Sequence, residues 1–231
     1  MGGSLYGGVI LSAAVAICGP DEKKLDQLPH VENFEKNEIL MFDGKLREII
    51  PYWKLTGLTG AKIVSVEPTV EAMVNAVNEK TAAVFLFPAT LYEEGIPTCE
   101  EVIPELKKTG VTIVVDAAAQ LPPSSNLWYY TKKLGADLCV FSGGKHIRGP
   151  QSTGLIVGRK DLTEACRMAA SPNARMGRAF KTGKEELAGF ITALELFVTE
   201  KPENVVFLNA YNLKPGEEDL VAEGVLGYLG K

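Results

Sequence analysis

Phe141-Ser142-Gly143-Gly144-Lys145-His146-Ile147-Arg148-Gly149-Pro150-Gln151-Ser152-Thr153-Gly154 sets a lysine in a glycine-rich turn between two apolar runs. Asp137-Leu138-Cys139-Val140-Phe141 leads into the turn and Gly154-Leu155-Ile156-Val157 leaves it. Both runs have the length and character of buried strands. A lysine at the end of a rigid strand can reach into a crevice, where its amine binds phosphate or forms an imine. Plain solvation suits a turn lysine as well.

Working upstream, Val111-Thr112-Ile113-Val114-Val115 is the preceding strand and ends in Asp116. Ser124 or Ser125 caps a helix expected to run to Leu134, with Gly135 closing it. Further strands are read at Glu38 to Phe42, Ala61 to Val66 and Ala82 to Phe87, with helices at Leu46 to Leu55, Thr69 to Asn78 and Thr98 to Thr109. The segment from Gly19 to Lys36 is polar and reads as irregular. Leu5 to Ile17 is apolar all round, which marks a buried helix, with Gly3 and Ser4 as its cap and a ready anion site. A plain serine cap satisfies that segment equally.

Downstream, Asp161 to Ala170 reads as a helix. Thr182-x-x-Glu185 reads as a capping box before a helix whose apolar face is Leu187, Phe190, Ile191, Leu194 and Phe197. Strands alternating with helices of this length predict an α/β protein, a three-layer fold with a mostly parallel sheet covered on both faces.

Composition sets limits on function. The 231 residues suffice for one large α/β domain, and the 46% hydrophobic and 23% charged fractions are those of a globular protein. A formal net charge of -5 speaks against a long nucleic-acid track. Cys18, Cys99, Cys139 and Cys166 form no C-x-x-C pair and read as buried reduced thiols. With only His30 and His146 as imidazoles, no metal site is expected. The apolar run Val9 to Cys18 is too short to span a bilayer and lacks a basic leader, so a cytoplasmic protein is expected.

Asp116 and Lys145 stand at the carboxyl ends of consecutive strands, one strand-helix-strand unit apart. A right-handed crossover brings both to the same sheet edge, where strands are roughly 5 Å apart. Aspartate, lysine and a phosphate cup together suit pyridoxal 5'-phosphate, with lysine forming the imine and aspartate holding the ring nitrogen protonated. A turn or cap role for Asp116 remains the structural alternative. A nucleotide P-loop is excluded, because Cys139 and His146 occupy positions that need glycine and Ser/Thr. A dinucleotide G-x-G-x-x-G segment is absent as well.

Val114-Val115-Asp116-Ala117-Ala118-Ala119-Gln120-Leu121-Pro122-Pro123, Phe141 to Lys145, Arg148 to Gly154, and Gly177-Arg178-x-x-Lys181-x-Gly183-Lys184-Glu185-Glu186 together resemble one family. It is the selenocysteine-synthase-like branch of the fold-type I, aspartate aminotransferase-like pyridoxal-phosphate enzymes. That branch includes L-seryl-tRNA(Sec) selenium transferase and the D-glucosaminate-6-phosphate ammonia-lyase group, whose motifs are the nearer match. The resemblance implies that Lys145 is the Schiff-base lysine and Asp116 its pyridinium partner. It places Ser142, Gly3 and Ser4 on the cofactor phosphate, Ala118 against the ring and Gln120 near its phenolic oxygen. Arg178 and Lys181 are its candidates for anionic substrate groups, although a solvated basic face accounts for them equally. Gly149 to Gln151 would lie near an interface of a homodimer or larger homo-oligomer.

The same resemblance implies a shortened chain. Relatives carry a segment before the first helix and a stacking aromatic or histidine from a region matching Asp43 to Tyr52, where no His-Arg pair stands here. Residues 1-200 then correspond to the cofactor-binding large domain. Residues 201-231 correspond to a remnant of the small C-terminal domain. The implied activity is a lyase or transferase acting on a small amino acid or amino-sugar acid by α-proton removal and β-elimination. Net charge speaks against tRNA as substrate. A shortened, non-catalytic relative serving as a structural or oligomerisation module is the alternative.

Overall fold

The computed structural model describes residues 5–44, 52–88 and 95–199. Six strands form one sheet in the order β2-β1-β3-β4-β5-β6. They are β1 (Glu38–Phe42), β2 (Lys62–Val66), β3 (Thr81–Leu86), β4 (Thr112–Asp116), β5 (Leu138–Ser142) and β6 (Gly154–Gly158). All neighbouring pairs run parallel except β5 and β6, which are antiparallel and joined by the glycine-rich connection.

Side chains of the central strands alternate between two cores, as the period of a pleated strand requires. Val114, Leu138 and Val140 face one core, while Ile113, Val115, Cys139 and Phe141 face the other. That is why these strands read as continuous apolar runs. Each fully buried large side chain, such as Phe85 or Phe141, contributes about 1.5–3 kcal/mol.

Helix α1 (Leu5–Cys18) lies in the first core with α7 (Lys160–Ala169), and Val9, Leu11, Ala13 and Val15 are fully buried. Gly8 permits this close seat. A Cβ there would stand 2.7 Å from Val140 Cγ1. Helices α4 (Val70–Ala76), α5 (Cys99–Lys107) and α8 (Lys184–Thr199) line the second core. The expected three-layer arrangement is therefore present among the described residues.

Local details depart from expectation in four places. The supposedly irregular stretch after Gly19 contains α2 (Glu22–Gln27), because the Asp21 carboxylate accepts the N–H groups of Lys23 and Lys24 as an N-cap. The predicted 46–55 helix is described only from Tyr52 onward, where α3 (Tyr52–Gly57) runs two residues past the expected end, and its earlier part lies outside the described residues. The 124–134 helix is a single α-turn, α6 (Asn126–Trp128), widening into a π-helical segment at Tyr129–Leu134, and Ser125 makes no side-chain cap. At α8 the reciprocal carboxylate is Glu186, which accepts the Gly183 N–H at 2.7 Å, one residue later than predicted. The expected apolar face of α8 is also split, since Phe190 and Phe197 are buried while Ile191 is 63% exposed. No helix among the described residues is long and apolar enough to cross a membrane.

Candidate active site

Three parallel strands end side by side. Asp116 is the last residue of β4 and Ser142 the last of β5, and Asp116 pairs in register with Val140. The Ala117 N–H continues the ladder to the Val140 carbonyl at 2.9 Å. Beyond β3, the Pro88 carbonyl accepts Gln120 Nε2 at 3.2 Å. Asp116, Ala118, Gln120 and Ser142 are thus gathered at one carboxyl edge, where α/β folds bind their ligands.

Asp116 is buried, and only one of its carboxylate oxygens is satisfied. Oδ1 accepts the Ala118 N–H at 3.0 Å, whereas Oδ2 is buried with no hydrogen-bond partner. Burial pushes the carboxyl up to about 6, opposed by the Ala118 N–H and by the positive charge of Lys145. A buried acceptor without a donor is costly, and such atoms call for a partner. A cationic N–H donor in front of Oδ2 would satisfy the hydrogen bond and stabilise the charge together.

Lys145 is held in the connection spanning residues 143–153. The Gly143 N–H donates to the Thr153 carbonyl at 2.9 Å, and the Gly149 N–H donates to the Gly143 carbonyl at 2.8 Å. Gln151 Nε2 reaches the Gly144 carbonyl at 3.0 Å. Gly143 can carry no side chain here, because a Cβ would collide with Thr153. Buried His146 and Ile147 anchor the turn directly after the lysine. Burial and the Lys145 charge depress the His146 imidazole, which favours its neutral form.

Helix α8 fastens this connection from outside. The Ser152 hydroxyl donates to Glu186 Oε1, whose other oxygen holds the Gly183 N–H. The Phe190 ring packs at Gly143 and Gly149, and Pro150 lies against Gly189. Sequence reasoning missed this tie, although Glu186 stood beside the residue chosen as the box.

The remaining expected site residues are placed elsewhere or not described. Gly3 and Ser4 lie outside the described residues, as do 45–51 within the expected stacking region and the tail 201–231. Arg178 begins a 3-10 turn, Arg178–Phe180, and Nη1 donates to Ser171 Oγ at 2.8 Å. Lys181 follows it, exposed. No hydrogen bond joins either side chain to Asp116 or Lys145.

The aminotransferase class-V family matches residues 36–196. The chain belongs to that family. Among curated relatives of this class-V chain, 5'-C-glycyluridine monooxygenase-decarboxylase from Streptomyces sp is 31% identical over 205 residues, covering 85% of this chain and 48% of the relative. D-glucosaminate-6-phosphate ammonia lyase from Salmonella typhimurium is 29% identical over 194 residues, covering 81% and 50%. A solved structure of a D-glucosaminate-6-phosphate ammonia-lyase superposes with a TM-score of 0.75 at 27% identity, covering 86% of this chain and 53% of that one. L-seryl-tRNA(Sec) selenium transferase from Mannheimia succiniciproducens is 28% identical over 218 residues, covering 84% and 44%. The chain spans about half the length of the curated relatives it matches.

Membership of the class-V aminotransferases implies pyridoxal 5'-phosphate as cofactor. The residues present fit that group. A protonated pyridine nitrogen would be a cationic donor of the kind that Asp116 Oδ2 lacks.

Proposed function

We propose that this chain is the cofactor-binding part of a pyridoxal-phosphate-dependent lyase or transferase acting on an amino acid or amino-sugar acid. The observation that carries this reading is the buried, half-satisfied Asp116 at the sheet edge that also carries Lys145. Lys145 Nζ is the amine that would hold the cofactor. Asp116 Oδ2 would accept the ring N–H and keep it protonated. Ser142, with Gly3 and Ser4 just ahead of the first helix in the sequence, would bind the phosphate. Ala118 would lie against the ring, and Gln120, whose Nε2 donates to the Pro88 carbonyl, would approach the phenolic oxygen.

When bound, the cofactor supplies an electron sink for the bonds of the substrate's α-carbon. The protein decides which bond is touched. Lys145 Nζ would serve as the general base that takes the α-proton in a β-elimination. Arg178 and Lys181 are the basic groups offered to an anionic substrate. Residues 1-200 serve as the large domain and 201-231 as part of a smaller one, in a homodimer or larger homo-oligomer with Gly149 to Gln151 near the interface.

The relatives are named for ammonia release, selenium transfer to a seryl-tRNA and oxidative decarboxylation of a glycyluridine. Ammonia and keto-acid release from D-glucosaminate 6-phosphate by the cofactor-loaded chain, lost in Lys145→Ala, is the outcome expected of the lyase. Cofactor uptake with no release of ammonia from that compound would remove the lyase reading. A chain that takes up no cofactor at all favours the structural or oligomerisation module instead.

A further inference from the structure

We propose that Arg148 is a further anion-recognising residue on the substrate side of this site, gripping a phosphate monoester carried by the amino substrate. The proposal rests on the cofactor reading for the identity of the site, and on Arg148 itself for everything else. Among the described residues, Arg148 is the one non-glycine residue with a positive φ, at 64°. That backbone region is strained for a side chain as large as arginine, whereas glycine occupies it freely.

The strain is locked in by its surroundings. The Arg148 N–H donates to the Lys145 carbonyl at 2.8 Å, the next N–H returns to Gly143, and Ile147 before it is buried. Strained non-glycine residues persist where neighbours over-determine them, and they cluster at functional sites. A turn of this kind keeps the α-carbons of Lys145 and Arg148 within about 7 Å. The backbone of Arg148 is therefore held close to that of Lys145, whose amine meets the substrate.

The fold itself makes no use of the side chain. Arg148 is exposed and makes no hydrogen bond or ion pair among the described residues. Arg159 pairs with Asp137 and Asp161, Arg175 pairs with Glu22 and Asp26, and Arg178 bonds Ser171. An unpaired guanidinium is a planar fork that matches the oxygens of phosphate, and charge-assisted pairs of this sort discriminate strongly. Its place three residues beyond Lys145 lets it read a phosphate set a few atoms from the reacting amine.

Protein preloaded with pyridoxal 5'-phosphate is titrated calorimetrically with inorganic phosphate, comparing wild type with Arg148→Gly, Arg148→Asn and Arg148→Lys. Loss of the guanidinium in the glycine and asparagine variants is expected to weaken phosphate binding by roughly 10- to 100-fold, with lysine intermediate. The visible cofactor band stays unchanged, and Arg148→Gly melts no lower than wild type because it relieves the strain. Phenylglyoxal mapping gives a second readout, in which phosphate slows modification of Arg148 but not of exposed Arg167. Wild-type phosphate affinity in Arg148→Gly, or modification indifferent to phosphate, overturns the proposal. Protection seen in the unloaded chain but abolished by the cofactor also overturns it, because the arginine would then hold the cofactor's own phosphate. Failure to take up cofactor counts against the function proposed above, and mapping on the unloaded chain then decides Arg148 alone: indifference to phosphate overturns its assignment and protection upholds it.

Discussion

The positive charge of Lys145 acts on a carboxylate, Asp116, whose Oδ2 is buried without a hydrogen-bond partner. Lysine and aspartate are thus neighbours without forming a direct ion pair, and the arrangement leaves Asp116 oxygen open to a third group.

That arrangement destabilises the protein at neutral pH. The Asp116 carboxyl is raised from 3.8 to about 6, mainly by burial, so the folded state holds its proton more tightly than the unfolded state. The stability it contributes is fully present below pH 3.8 and is lost as pH rises through about 6. The loss amounts to roughly 3 kcal/mol. Asp116→Asn removes this dependence. Denaturant midpoints should show the variant more stable than the wild type at pH 8, with the gap closing toward pH 4, while cofactor affinity falls. A variant less stable at pH 8 contradicts the account.

Gly143→Ala tests the seat of the lysine turn. Its new methyl group meets Thr153, and Phe190 closes the other side at 3.0 Å. Overpacking of this kind costs about 1–3 kcal/mol. Urea unfolding should register that loss together with weaker cofactor uptake, because the shifted backbone carries Lys145. A fully stable variant with normal uptake would show that the turn has slack.

Much of this was legible in the sequence because the central strands are buried on both faces. Val111 to Asp116 and Leu138 to Phe141 can hardly be anything else, and the edge they share follows from parallel pairing. Asp116, Ser142 and Lys145 therefore come from strand ends alone. The tie from Ser152 to Glu186 was not legible, since it joins residues far apart in the chain through tertiary packing. The α8 cap was misplaced by one residue because Thr182 and Gly183 both offer a start, and packing against the turn selected the later one. The six-residue α2 was missed because its signal is one capping aspartate between two prolines. The strain at Arg148 has no local sequence signature at all, because φ is set by the closed turn.

Thiol chemistry gives a test of the core. Burial pushes Cys18, Cys99 and Cys166 up to about 12 and Cys139 well above its ordinary value. All four are free and buried. The folded protein should leave a thiol reagent untouched at pH 8, and urea should release all four together. Rapid labelling of one cysteine in the native state would mean that its part of the core opens locally.

The tie to α8 should show in how long the cofactor stays bound. Glu186 is held below the usual carboxylate range by the Ser152 hydroxyl and then by the Gly183 N–H. Glu186→Ala releases both partners and Ser152→Ala only one. Cofactor dissociation, followed by absorbance after dilution, should accelerate in both variants and more in Glu186→Ala. Equal rates in all three proteins would show that α8 does not steady the lysine.

The central claim is that Lys145 is the cofactor lysine. Borohydride reduction of the protein with added pyridoxal 5'-phosphate, followed by peptide mapping, tests it most directly. The account predicts one stoichiometric adduct on Lys145, absent in Lys145→Ala. Reduction that leaves Lys145 unmodified, or that scatters adducts over surface lysines such as Lys181 and Lys184, would contradict it.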